Sequence, residues 1–363
     1  MASSEQSYLI VGAGVFGVST AYHLIQKYPK ASVTLVDRDA FDAESRVAAS
    51  WDWNKVVRAD YDDEVYCQLG LEAQDIFTSD PLWMPYFHKT GIYWMCRSGE
   101  YAQDVIQNYK KFGRDNDLAA VPVNEARGMY GGLFEDADYT DVKDVLVNRN
   151  SGWAAAGDCL RAVTDKTLEL GVKYVTAEIA SLHFDDTGRC CGIKTATGDL
   201  LKATHVILCT GAFTPKLLEL SAQSSGLSDL RAGSRIVAGG ITTGMTQLDD
   251  ESYERFAAMP VGVQGYTAKQ GPFIGSLPPT KDRELKWWGQ TIFRNTREVS
   301  PGHFISVPPS EPDYAQWDVS GRLKEDISFA NHVFYGSRGA KWKMEKHRIC
   351  WYVKVAPNGG KTD

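Results

Sequence analysis

No stretch of this 363-residue sequence stays apolar for the roughly 20 residues needed to cross a bilayer. No long basic block is present, and the net charge is −7. Membranes and nucleic acid are therefore poor partners for this chain. Cysteines are few: the seven, at 67, 96, 159, 190, 191, 209 and 350, are odd in number and never spaced C-x-x-C. A reduced, intracellular protein without a zinc site fits that usage. None of the seven histidines forms H-x-x-x-H, so His88 and His332 read as structural and no metal is expected. Internal repeats and low-complexity segments are missing too. The opening Met1-Ala-Ser-Ser-Glu-Gln6 runs straight into an apolar stretch, leaving no room for a signal peptide.

What is present begins at residue 7. An apolar run, Tyr8 to Val11, reads as a buried parallel strand and is followed by Gly12, Gly14 and Gly17 in G-x-G-x-x-G spacing. Val18 to Tyr28 carries a helical apolar stripe, and a second strand, Val33 to Val36, ends in Asp37. Gly12 makes a tight turn, Gly14 lets backbone approach a pyrophosphate, and Gly17 lets helix and strand pack closely. Val15 and Phe16 open the helix, whose unpaired N–H groups attract phosphate, and Asp37 can accept from ribose hydroxyls. Strand, glycines, helix and acid stand in the order that dinucleotide binding requires.

Composition, 43% hydrophobic and 23% charged, is that of a globular chain long enough for two domains. Residues 63–78 read as a helix with Val65, Leu69, Leu71, Ala73 and Ile76 at its apolar positions. Gly91 to Cys96 reads as a strand and Tyr101 to Phe112 as a helix. Gly152-Trp153-Ala-Ala-Ala opens an amphipathic helix over Gly157 to Leu170. Strands at 172–175, 188–194 and 203–209 follow, the last running into Thr210-Gly211-Ala212. From 235 onward short apolar runs broken by Gly and Pro, such as Pro260–Val263 and His303–Val307, predict antiparallel strands. The expected fold is α/β. A discontinuous Rossmann-like nucleotide-binding domain (1–60, 150–230, 335–363), which the resemblance given below makes FAD-binding, joins an α+β substrate domain (61–149, 231–334) that contains an antiparallel sheet.

Five pieces together carry a family resemblance: G-A-G-x-x-G with Asp37, Asp52-Trp-Asn-Lys-Val-Val-Arg58, the Thr210-Gly-Ala turn, Leu285-Lys286-Trp, and His347-Arg-Ile-Cys-Trp-Tyr352. The chain resembles the FAD-dependent amine oxidases of the D-amino-acid-oxidase superfamily. Within it, the likeness is to the sarcosine oxidase and fructosyl amino acid oxidase (amadoriase) group, in particular its fungal saccharopine-oxidase-like members. The resemblance implies oxidation of the C–N bond of an N-substituted amino acid to an imine, with dioxygen reduced to hydrogen peroxide. It implies a monomer whose partners are that small-molecule substrate and O2, in the cytoplasm or peroxisome.

By resemblance, Ile179 gives backbone contacts to the adenine, or is a packed strand end. Thr210, Gly211 and Ala212 lie against the ribityl-pyrophosphate. Ser50 passes beside the phosphates or faces solvent, and Arg38 covers the adenine or is a surface charge. Asn54 and Lys55 lie near the isoalloxazine. Arg58 takes the substrate carboxylate, for which its fork is suited; the alternative is a salt bridge with Asp60, Asp62 or Asp63. Lys286 sits near the reacting flavin atom, where a fixed cation favours electron transfer to dioxygen, or is a strand lysine pointing to water. Cys350 bonds covalently to FAD, with Lys346, His347 and Arg348 favouring its thiolate, or is a small buried hydrophobe. Tyr61, Tyr93, Trp94 and Phe293 line the substrate pocket or belong to the core.

After Tyr352 the chain departs from the family pattern: Val353 to Asp363 is polar and Gly-containing, and stops where relatives continue with a Gly-rich segment over the flavin. A truncated, inactive relative that at most binds nucleotide or a partner is therefore the alternative reading. A nicotinamide dehydrogenase is a third, and it leaves Arg348-Ile-Cys-Trp without a role.

Overall fold

The computed structural model describes residues 6–44, 46–97, 99–265, 273–309, 317 and 319–355. Strand β1 (Ser7–Val11), helix α1 (Val15–Lys27) and strand β2 (Ser32–Asp37) form the opening unit. β1 and β2 are central in a parallel sheet whose order is 205–208, β1, β2, 173–176. Side chains alternate across it as strand geometry demands. Ile10, Val33 and Leu35 face Val18, Ala21 and Ile25 of α1 and Leu160 and Val163 of the helix Ala156–Glu169. Leu9, Val11 and Val36 face the other way, onto Leu182 and Ile193 of a three-stranded antiparallel sheet and Leu217 of the helix Thr214–Ser225.

The second sheet has eight strands, in the order 346–355, 236–247, 284–293, 273–277, 261–265, 92–96, 144–148, 118–122. All its pairs are antiparallel except Val261–Gly265 on Ile92–Cys96, which is parallel. One face buries Tyr93, Met95, Leu285 and Trp287 beneath the helix Gly321–Tyr335. The other buries Trp94, Leu146 and Val263 against the helix Gly99–Lys111 and Cys67 and Leu71 of helix α2 (Glu64–Ser79). Tyr93 and Trp94 thus belong to the core, and Phe293 packs on Trp351.

Three expectations are corrected. Gly152–Ala154 is a strand, not a helix start: it pairs with β3 (Lys55–Val57) and with Phe87–His88. A Cβ on Gly152 would lie 2.1 Å from the His88 carbonyl, so pairing here overrides the helix propensity of the alanines. In α2 the buried positions are Cys67, Leu71 and Gln74, while Val65, Leu69 and Ile76 are exposed. The helix is rotated because Gln74 Nε2 reaches the buried Ser151 hydroxyl at 3.1 Å. Lastly, Lys346–Val355 bonds along its length to Ile236–Gln247 of the large sheet, so that part of 335–363 is not in the parallel sheet, and strand structure continues past Tyr352. Residues 356–363 of the polar tail lie outside the described residues.

At Gly17 a Cβ would meet the Gly12 carbonyl oxygen at 1.7 Å. Both atoms are backbone, so α1 must leave β1 to make room. Gly17→Ala is expected to destabilise the protein by about 3 kcal/mol, at the upper end for overpacking. A chemical-denaturation curve matching the wild type would show that the contact is not tight.

Candidate active site

The nucleotide end of the site is built by the turn between β1 and α1. Gly12 takes a φ of +99°, and Gly14 starts the helix without any side-chain cap. A Cβ on Gly14 would lie 3.4 Å from Ser50 Oγ, so the loop carrying Ser50 crosses directly over the turn. Ser50 Oγ accepts the Val15 N–H at 3.0 Å. Val15 and Phe16 remain exposed at the helix opening. Asp37 Oδ2 accepts the Ala13 N–H at 2.6 Å and Oδ1 the Asp39 N–H at 3.1 Å. A carboxylate has further lone pairs to offer a hydroxyl.

Around this turn the remaining candidates divide. Gly211 has a φ of +51° in a 3-10 turn, Thr210 Oγ1 lies 2.8 Å from Thr214 Oγ1, and Ala212 packs with Ala238, Ile349 and Trp351. Ile179 directs its side chain into the cluster around Leu9 and Val11. The Arg38 guanidinium lies 4.7 Å over the Phe213 ring and 3.5 Å from the Asp39 carboxylate. Arg46, singled out by no motif, is buried and donates to the Ala13 carbonyl at 2.6 Å, bracing the turn from behind.

The second end of the site is organised by Asp52, whose carboxylate is wholly buried. Its Oδ1 accepts from Lys286 Nζ at 2.6 Å, Lys55 Nζ lies 2.7 Å from Oδ2, and the Arg348 guanidinium is 3.5 Å away. Lys286 is buried and not turned to water; its ammonium also donates to the Asn54 carbonyl at 3.1 Å. Asn54 Nδ2 donates to the Pro278 carbonyl at 3.1 Å, which steadies the backbone carbonyl that Lys286 meets, while its buried Oδ1 has no partner among the described residues. Arg348 donates to the carbonyls of Trp51 and Ala48, tying 346–355 to the loop before β3.

Burial pushes the Asp52 carboxyl up, but Lys286, Lys55 and Arg348 outweigh it and hold the carboxyl well below the usual range. Burial lowers Lys55 as well, and Asp52 and Cys350 reverse this and raise it. Lys286 is pushed down to about 8 by burial and by the neighbouring cations, with Asp52 resisting. Three cations around one carboxylate leave the pocket with an excess of two positive charges. Lys55 Nζ also donates to Cys350 Sγ at 3.4 Å. The cation beside the thiol is therefore Lys55 from another strand. Among the residues preceding Cys350, Lys346 is paired with Glu284 and Arg348 is directed to Asp52.

Arg58 leaves β3 with its guanidinium 4.0 Å over the Tyr61 ring and 5.0 Å from that of Trp94. It donates to the Asp60 backbone carbonyl and, among the described residues, is paired with no carboxylate. The same carbonyl accepts from Tyr101 OH at 2.6 Å. The buried Asp60 carboxylate accepts from Asn148 Nδ2 at 2.7 Å and Ser151 Oγ at 2.6 Å, which anchors the bend that carries Arg58. The structure thus gathers Asn54, Lys55, Lys286 and Cys350 into one cluster and keeps Arg58 at its margin. Asp52 stood inside a quoted motif without a role and Arg348 only as a basic neighbour of Cys350, because the contact that joins them spans nearly three hundred residues.

Removing the carboxylate should be costly. Asp52→Asn is expected to lose about 3–5 kcal/mol, since the buried Lys286 and Arg348 and the partly exposed Lys55 then repel without compensation. Adding Lys286→Met should recover part of that loss. The Asp52 contribution is present above its unfolded pKa of about 4 and disappears as pH falls further, so the acid limb of stability should flatten in Asp52→Asn. Urea melts at pH 7, where the full loss is read, and between pH 4 and about pH 2, where the wild-type limb should be steeper than that of the variant, check both statements.

Residues 7–249 match the model of the FAD dependent oxidoreductase family known as DAO. L-saccharopine oxidase of Schizosaccharomyces pombe is 26% identical over 328 residues, covering 85% of this chain and 71% of that protein. The amino acid oxidase imqH of Aspergillus flavus is 26% identical over 257 residues, 59% of this chain and 53% of that relative, so the chain matches only about half of its length. Among solved structures, the fructosamine oxidase Amadoriase II of Aspergillus fumigatus superposes with a TM-score of 0.78 at 22% identity, over 98% of this chain and 80% or less, namely 78%, of that one. With the glycine turn, the acid at the end of β2 and the parallel sheet in place, the chain belongs to the FAD dependent oxidoreductase family.

Proposed function

We propose that this protein oxidises the C–N bond of an N-substituted amino acid, giving an imine and, from dioxygen, hydrogen peroxide. The observation that carries the reading is the buried Lys286–Asp52 pair, with the half-buried Lys55 bridging it to a thiol, Cys350. The residues present fit FAD. Gly14 offers backbone without a Cβ, the α1 N-terminus is exposed with Ser50 Oγ on its first N–H, and Asp37 keeps acceptor capacity beside it. These groups suit the adenosine and pyrophosphate, while Ser50, Arg38, Ile179 and Thr210–Ala212 would border them. When bound, FAD supplies the electron-accepting chemistry and passes the electrons to dioxygen.

The chain's own residues then have distinct tasks. Cys350 is the residue to carry the covalent link, and Lys55 Nζ lies 3.4 Å from its sulfur. Arg58 holds the substrate carboxylate, its plane fixed by Tyr61 and by the Asp60 carbonyl. Lys286 keeps a charge where dioxygen is reduced, and Asp52 and Asn54 fix its ammonium so that no reorganisation is needed during reaction. The substrate amine reacts neutral, with its proton left to solvent, and the imine hydrolyses after release. Sequence relatives named as oxidases of saccharopine and of amino acids support this class of substrate.

Absorption spectroscopy tests the proposal directly. The purified protein should be yellow, and the colour should stay with the pellet on acid precipitation. In Cys350→Ala it should move to the supernatant. Colourless protein that takes up no flavin on reconstitution would leave the inactive-relative reading in its place. Peroxide formation from a secondary amino acid should fall as pH rises through about 8, where Lys286 loses its charge. Lys286→Met should lower it about 100-fold and abolish that pH step.

A further inference from the structure

Beside Arg58 lies a cleft that the chemistry above does not use. It has a volume of about 300 Å³ between α2 and β3. Its walls are Tyr66, Leu69, Ala73 and Phe77 from the helix and Tyr61 beside the strand, and among the described residues Arg58 is the one charged residue lining it. The cleft exists because of how α2 docks. A Cβ on Gly70 would lie 2.7 Å from the Ala59 Cα and 2.9 Å from the Arg58 carbonyl, so the helix touches the 58–59 backbone there and splays from it on either side. Burying Cys67, Leu71 and Gln74 leaves Tyr66 and Leu69 facing outward, 61% and 55% exposed, at the mouth.

We propose that this cleft is the subsite for the substituent of the substrate, and that it takes an aromatic or comparably bulky apolar group on an amino acid whose carboxylate is held by Arg58. The proposal rests on the oxidase reading for the role of Arg58 and adds the class of substrate. Two features select this occupant. The volume stands at the small end of small-molecule sites and holds one ring-sized group, too little for a protein segment. The charge pattern, one guanidinium at the edge of apolar and aromatic walls, matches a molecule with one carboxylate and one apolar end. A polar or doubly charged substituent would have to leave water for Leu69, Ala73 and Phe77 with no partner to meet it.

Binding of non-oxidisable probes separates this inference from the oxidase reading. Calorimetry on the full chain should find 4-phenylbutyrate bound about 30-fold tighter than butyrate, the advantage of burying one ring. Ala73→Trp, which fills the cleft from an outer helix position, should erase that preference and leave butyrate binding unchanged. Arg58→Met should weaken both ligands. Equal affinity for the two probes in the unmutated protein, or a preference that survives Ala73→Trp, would overturn the proposal. So would a concentration-dependent dimer that Ala73→Trp abolishes, since a second copy would then fill the cleft. Peroxide assays with N-benzylglycine and N-methylglycine separate the two readings. If the preference holds and neither compound is oxidised, the cleft stands and the oxidase reading falls. Turnover of N-methylglycine without any gain for the benzyl compound or the phenyl probe leaves the oxidase and removes the cleft.

Discussion

The architecture depends on a carboxylate that has nowhere else to go. Asp52 is sealed from water, and three chain segments reach it with cations: β3 through Lys55, 284–293 through Lys286 and 346–355 through Arg348. A buried charge pair costs more than it returns unless every partner is well placed. These four side chains must therefore find each other together. The same contact joins the loop after the nucleotide turn to the edge of the eight-stranded sheet, so the constraint that shapes the pocket also holds two sheets in register. Its excess positive charge is what the proposed chemistry exploits.

Much of this was legible in the residues. The glycine spacing, the flanking strand and helix and the acid at 37 state local requirements that hold whatever the rest of the chain does. Lys286 and Cys350 could be singled out because each stands in a motif that carries the family resemblance. What could not be read is which groups meet. Asp52 and Arg348 acquire meaning only through a pairing 296 positions apart, and the thiol's neighbour is Lys55, not the adjacent basic residues. Helix α2 fails the periodicity test for a related reason. It carries apolar residues around much of its circumference, and the face that is buried is chosen by Gln74 and its serine partner. Strand Gly152–Ala154 likewise follows from close backbone approach at His88, which no alanine count anticipates.

Asp60 shows a second way to use a buried acid. Burial raises its pKa, with the hydrogen bonds from Ser151 and Asn148 working against the shift. It has no cation seated on it in the manner of Asp52; hydroxyl and amide donors satisfy it instead. The result is a rigid bend whose carbonyl orients Arg58, and among the described residues no carboxylate pairs directly with the guanidinium. One acid neutralises part of a charged pocket, and the other holds a cation in place for something from outside.

The single parallel pairing in the large sheet, Val261–Gly265 on Ile92–Cys96, has a consequence for how the molecule is made. The earlier strand leaves the ribosome with one flank unpaired, and its partner emerges some 165 residues later, counting from 96 to 261. At ordinary elongation rates that interval is on the order of ten seconds. During it Ile92, Trp94 and their apolar neighbours sit on an open edge, a surface through which nascent chains can associate and which a chaperone would cover.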